Sequence, residues 1–143
     1  MTNLTIKRMG PEDLEQARDN CTLFWKMNHA IANLKAFLAD PGCILLTAEI
    51  DGNPAGQVTG YILRRWDSKK PKLFLYSIDV LESHRRKGVA RQLITEFRRI
   101  GKEAGCGAAF VFTNASNIPA MLLYQYSGGV RTYSDDVMFE WSL

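Results

Sequence analysis

Between Leu73 and Phe112 the hydrophobic period changes twice, and that pattern constrains the fold more than anything else in the chain. Leu73 to Val80 is an apolar run of strand length. Val89, Ala90, Leu93, Ile94, Phe97, Ile100 and Ala104 then recur at helical spacing, with Arg91, Glu96, Arg98 and Lys102 on the opposite side. Ala108 to Phe112 is a second short apolar run, of the kind that lies parallel in a covered sheet. Strand, helix and strand in that order make a crossover, so the sheet holds a parallel pair.

The other segments attach antiparallel strands and helices to this unit. Leu4 and Ile6 alternate with polar neighbours, as in a short half-buried strand. Gly10-Pro11-Glu12-Asp13 is a helix start, and Leu14, Ala17, Cys21 and Phe24 follow at helical spacing. A second helix is expected from Ala30 to Leu38, stopped by Asp40-Pro41-Gly42. Ile44 to Ile50 and Gln57 to Leu63 form an antiparallel pair around a turn at Asp51-Gly52-Asn53-Pro54, and Arg64 to Lys72 is a polar loop. Asn117-Ile118-Pro119 opens a last helix that runs to Gly128-Gly129, and Val130 to Tyr133 with Val137 to Trp141 make a closing strand pair. The order gives one mixed α/β sheet flanked by helices, in a single domain spanning 1–143 with no repeat or linker.

Composition excludes several classes of function. A net charge of +3 over 143 residues is too mild for a nucleic-acid binder, and the cations are local, as at Arg85 to Lys87. Cys21, Cys43 and Cys106 lack metal-ligand spacing and read as the reduced thiols of a cytosolic protein; no metal is expected. His29 and His84 stand in polar surroundings with no triad logic. The N-terminus shows no signal peptide. Ala104 to Val130 carries no charge but is interrupted by Asn114, Asn117, Pro119, Gly128 and Gly129, so it is no membrane span; its neutrality suggests burial or a wall against a ligand.

The chemistry concentrates between the strand and the amphipathic helix. Arg85-Arg86-Lys87-Gly88-Val89-Ala90 places a glycine at the helix start, where backbone N–H groups converge and the helix dipole adds positive character, with cations just before it. This is a phosphate cradle, but neither a Walker loop nor a dinucleotide fingerprint. The form Arg85-x-x-Gly88-x-Ala90 resembles the acetyl-CoA signature of the GNAT superfamily of N-acetyltransferases. Downstream, Asn117-x-x-Ala120-x-x-Leu123-Tyr124-x-x-x-Gly128 resembles that superfamily's second motif, a helix carrying a tyrosine beside the cofactor's sulfur. The likeness covers Ile44 to the C-terminus. Within the superfamily, Leu75-Tyr76-x-Ile78-Asp79-Val80, His84-Arg85-Arg86-x-Gly88 and Asp135-Asp136-Val137-Met138-Phe139 look most like the aminoglycoside 3-N-acetyltransferase type I group.

That resemblance implies a GNAT fold, with a mostly antiparallel mixed sheet splayed between its middle strands. It implies acetyl-CoA as cofactor, its pyrophosphate on the backbones of Arg86, Lys87, Gly88, Val89 and Ala90 with Arg85 nearby. The pantetheine arm would pair with the edge of Ile78-Asp79-Val80, flanked by Asn117 and Tyr124. The Val80 N–H would be the oxyanion donor, and Tyr124 would protonate the leaving thiolate, its other reading being a core tyrosine. Members of the group place an acid directly after the tyrosine, where this chain has Ser77, which is no base at neutral pH. Asp79, on the same strand face as Ser77, either relays the amine proton or bonds a loop N–H. Tyr76, Ser77, Asp135 and Asp136 are the expected acceptor contacts, with Glu82 and Glu140 as further acids; Asp135 and Asp136 equally fit a solvated turn. Trp25, Trp66, Tyr133 and Trp141 are further aromatics for an acceptor cleft or for ordinary packing.

The expected activity is transfer of an acetyl group to a primary amine of a small molecule, aminoglycosides first, hence antibiotic resistance, in the cytoplasm. No nucleic-acid or membrane partner is expected, and the family adds homodimerisation as an expectation. Acetylation of a peptide, protein or metabolite amine is the alternative among enzymes. A non-catalytic acetyl-CoA sensor is the alternative from another class, kept open by Ser77.

Overall fold

The computed structural model describes residues 3–26 and 31–143. They fall into two compact units, Met1–Phe112 and Thr113–Leu143. In the first, β1 (Leu4–Arg8) leads through a 3-10 turn at Pro11–Asp13 to α1 (Leu14–Trp25), α2 (Ile31–Ala39), β2 (Cys43–Ile50), β3 (Asn53–Leu63) and β4 (Lys72–Val80). A 3-10 turn at Glu82–His84, α3 (Val89–Glu103) and β5 (Ala108–Val111) follow. The strands lie in the order β1-β2-β3-β4-β5, antiparallel up to β4, while β4 and β5 run parallel, as the strand–helix–strand pattern requires.

Two helical layers cover the sheet. On one face, Met9, Ala17, Cys21, Leu38 and Leu45 form a buried cluster against which Leu14, Trp25, Leu34 and Phe37 pack. On the other, α3 buries Val89, Leu93, Ile94, Phe97 and Ile100. Phe97 is 1 % exposed, and its ring lies so close to β3 that a Cβ at Gly60 would collide with it. Full burial of such a ring contributes roughly 2–3 kcal/mol. Ala104, expected on this inner face, is instead exposed; Gly101 takes the place, directly against Leu73.

The hairpin between β2 and β3 is tighter than expected. Asp51 and Gly52 both have positive φ (52° and 83°), and Ile50 pairs directly with Asn53. A two-residue turn of this kind matches the strands' twist. Asn53 and Pro54, expected in the turn, therefore belong to β3, with Pro54 tolerated beside a bulge at Ala48/Glu49. The second helix is described from Ile31; Ala30, its expected start, lies outside the described residues, as does His29.

The second unit contains α4 (Ile118–Tyr126). Asn117 caps it, its side chain accepting from the Ala120 N–H at 3.2 Å, and Gly128 (φ +94°) ends it, followed by the Gly129 N–H donating to Tyr124 O at 2.8 Å. The closing strand pair is not formed. Val130 to Trp141 adopts no strand, and Val130, Tyr133, Val137, Met138, Phe139 and Trp141 are exposed. Alternation of apolar residues makes a segment strand-competent, but a strand also needs a ladder partner, and none is paired with it among the described residues. Burial of the charge-free stretch is also not observed: no residue from Ala104 to Val130 is buried. Among the described residues no helix is long and apolar enough to cross a membrane.

Candidate active site

The exit of β4 is the chemically open part of the first unit. The parallel ladder joins only Lys72–Leu75 to Ala108–Val111. At that same point β4 carries an extra residue: Thr59 pairs with Ser77 but Gly60 pairs with Leu75, so Tyr76 is bulged. A bulge sharpens the local twist and bends the strand. From Tyr76 to Val80, β4 therefore keeps β3 on one side and has no strand on the other among the described residues.

The hydrogen-bond pattern decides which groups face that open edge. The Leu81 N–H donates to Ala55 O at 2.9 Å, which makes Leu81 and Ala55 a hydrogen-bonded pair. In an antiparallel ladder such pairs alternate, so Asp79 bonds to β3 through its backbone while Ile78 and Val80 direct theirs away from it. The Val80 carbonyl accordingly accepts from Arg85 Nε at 3.2 Å, and its N–H is left at the edge.

The loop after β4, where the phosphate cradle is expected, carries a backbone feature that no residue pattern signals. Both Arg86 (φ +61°) and Gly88 (φ +79°) are left-handed. For glycine this conformation is free; for arginine it costs energy, and such residues concentrate at sites that bind or catalyse. Two left-handed residues this close together turn the chain sharply just ahead of α3, after an extended Arg85. Here the N–H groups of Arg86 to Arg91 have no acceptor among the described residues, and α3 has no side-chain cap. A Cβ at Gly88 would meet nothing within 4 Å, so the space beside this glycine is open. Arg85, Arg86 and Lys87 are exposed around it. A pyrophosphate fits this donor set: free amides at a helix N-terminus with exposed cations beside them.

Opposite α3, on the face covered by α1 and α2, β4 presents a polar row. Ser77 and Thr59 share a hydroxyl–hydroxyl bond of 2.5 Å. Asp79 Oδ2 accepts from Trp25 Nε1 at 2.5 Å. Asp79 is register partner to Gln57, which is fully buried, accepts from Thr47 Oγ1 at 3.4 Å and donates to Cys21 Sγ at 3.4 Å. Burial pushes the Cys21 thiol pKa up, with the Gln57 bond opposing it, so this sulfur stays a neutral thiol. Beyond Ser77 the row turns aromatic. Tyr76, 65 % exposed, stands edge-on to Tyr61 and Phe74 with centroids at 5.7 and 5.8 Å.

Of the expected site residues, Tyr76, Ser77, Ile78, Asp79, Val80 and Arg85 to Ala90 thus lie on one continuous strand–loop–helix segment. Asn117 and Tyr124 belong to the second unit, on α4: Asn117 is its cap and Tyr124 is half-buried near its end. Asp135 and Asp136 lie in the exposed chain after α4, as does Glu140. Thr59, Gln57 and the Trp25–Asp79 bond were not foreseen, because the contacts join residues 18 to 54 positions apart and no local pattern signals them.

Comparison with known proteins agrees with this geometry. The family model for the acetyltransferase (GNAT) family matches residues 11–128. Human (Homo sapiens) N-acetyltransferase 8 is 26 % identical over 98 residues, covering 68 % of this chain but only 43 % of that protein, so the chain spans less than half the length of that relative. Aminoglycoside N-acetyltransferase AAC(6')-Iy in complex with CoA superposes with a TM-score of 0.83 at 26 % identity, over 99 % of this chain and 96 % of that one. An aminoglycoside acetyltransferase from an uncultured soil metagenomic sample, in complex with sisomicin, shares the fold with a TM-score of 0.88 at 20 % identity, over 98 % and 96 % of the two chains. With the mixed sheet, the opened β4 edge and the amide cradle, these matches place the chain in the GNAT acetyltransferase family, whose cofactor is acetyl-CoA.

Proposed function

We propose that this chain acts as a single acetyltransferase domain that moves an acetyl group from acetyl-CoA to a primary amine of a small molecule, with aminoglycosides the first acceptors to test and antibiotic resistance the consequence. The observation that carries the reading is the coincidence of three features on one segment: the β4 bulge at Tyr76, the unpaired edge at Ile78 and Val80, and the free amides of Arg86 to Arg91. Its free thiols suit a reducing compartment, the cytoplasm.

Bound acetyl-CoA supplies a thioester, an acyl group already activated for transfer. The amides of Arg86 to Ala90 would hold the pyrophosphate, with Arg85 and Lys87 beside it. Ile78 and Val80 would pair with the pantetheine amides as a further strand would. The Val80 N–H would offer a hydrogen bond to the acetyl oxygen. Asp79 would take one proton from the acceptor's ammonium, leaving a neutral amine; as that nitrogen bonds the acetyl carbon and the carbon–sulfur bond breaks, Tyr124 would give its proton to the sulfur and recover the second proton that the nitrogen loses. Ser77 and Tyr76 line the approach, and Asp135, Asp136, Glu82 and Glu140 supply negative charge for a polycationic acceptor.

The test is release of free thiol from acetyl-CoA across a panel of aminoglycosides, polyamines and peptides. Turnover with aminoglycosides is expected, and Tyr124→Phe should slow it without weakening acetyl-CoA binding. The position acetylated then separates the 3-N type I group, to which the motifs are similar, from the 6' type of the CoA-bound neighbour. Tight acetyl-CoA binding with no turnover of any amine would refute the reading in favour of a sensor.

A further inference from the structure

Trp25 is the last residue of α1, and Lys26 after it closes the helix in a left-handed conformation (φ +49°). Its ring packs against the apolar cluster of Met9, Ala17, Cys21, Leu38 and Leu45. Its indole N–H donates to Asp79 Oδ2. One helical turn earlier, Cys21 accepts from Gln57, the residue directly across the ladder from Asp79. Positions i and i+4 of a helix stand on one face, so the contacts close a ring: Trp25 to Asp79, Asp79 to Gln57 across the strands, Gln57 to Cys21, and Cys21 back to Trp25 along α1. Gln57 is fully buried and Cys21 is 4 % exposed, which anchors one side of the ring.

We propose that Trp25 is a positioning residue for Asp79. A carboxylate on a strand turns about two side-chain torsions, and one directed donor removes most of that freedom. The indole occupies Oδ2 and so leaves Oδ1 to receive the amine proton, one residue before the Val80 N–H. Packing holds the ring, so the donor itself does not wander. The inference rests on Asp79 being the group that receives the amine proton. The competing account is that the bond only fastens α1 to β4.

A double-mutant cycle separates the two. Trp25→Phe keeps a ring in the apolar cluster and removes only the N–H. With the panel amine that turns over fastest, it should lower kcat roughly tenfold or more and leave the KM for acetyl-CoA unchanged. In an Asp79→Asn background the same substitution should change kcat little, because the group it positions has already lost its function. Equal losses in both backgrounds would show a merely structural bond and overturn the proposal. A second readout does not depend on turnover. Of the three indole N–H resonances, the one removed by Trp25→Phe should move when Asp79 becomes Ala; a stationary signal overturns the proposal as well. Failure of every amine to turn over would refute the acetyltransferase reading and this role together, whereas turnover with additive losses refutes this role alone.

Discussion

Replacing Gly88 by Trp separates the cradle's two physical contributions, conformation and open space. Gly88 sits at φ +79°, so any side chain there costs about 1–2 kcal/mol in backbone strain. No packing penalty adds to this, because the new Cβ would meet no heavy atom within 4 Å. At about 2–4 °C per kcal/mol for a chain of this size, the unfolding midpoint should fall by about 2–8 °C and the protein should remain folded. Binding should suffer far more, because a bulky indole beside the free N–H groups of Arg86 to Arg91 would compete with a phosphate for the space next to them. A hydrogen bond from an amide to a charged phosphate oxygen contributes about 1.5–3 kcal/mol. Losing two of them weakens acetyl-CoA binding by at least about 100-fold. Calorimetric titration with acetyl-CoA gives the affinity, and thermal unfolding gives the midpoint. Unchanged affinity in a folded variant would refute the assignment of the cradle.

Two further predictions concern the scaffold. Gly60→Ala would press a methyl group into the Phe97 ring and bring it within 2.5 Å of the Phe74 carbonyl; neither a buried ring nor a strand carbonyl has room to retreat. A loss of about 3 kcal/mol is expected in urea unfolding, and a loss below about 1 kcal/mol would show that the α3–sheet interface is looser than described. The Asp13 carboxyl is held below the ordinary range by the Gly10 N–H at 2.8 Å and by Lys7. Because the folded value is depressed, this stabilisation is present above about pH 4 and is lost as pH falls through the folded value. Wild type should lose more stability than Asp13→Asn between about pH 6 and pH 3; equal losses in urea midpoints would remove Asp13 from the acid response.

Much of this was legible from local pattern. The 3.6-residue period of α3, the apolar runs of β4 and β5 and the glycine at a helix start are short-range signals, and they carried the crossover and the cradle. The Asn117 cap is equally local: a side-chain acceptor three residues before the N–H it serves. By the same logic Val130 to Tyr133 and Val137 to Trp141 read as a strand pair, and there the local signal misleads, because a strand depends on a ladder partner that apolar composition does not provide.

What only the tertiary structure decided is how the site is opened and aimed. The bulge at Tyr76 leaves no mark in the sequence of β4; it is a property of the register against β3, and it falls where the parallel ladder stops at Leu75. The bond from Trp25 to Asp79 and the pairing of Ser77 with Thr59 join residues far apart in the chain, brought together by packing α1 on the sheet and laying β3 beside β4. The amino-acid order by itself determined that a strand would be followed by a cationic loop and a helix starting at a glycine, since these depend on neighbours within a few positions. Which carboxylate stands beside the open edge, and in what orientation, depends on distances across the sheet, and those are properties of the fold.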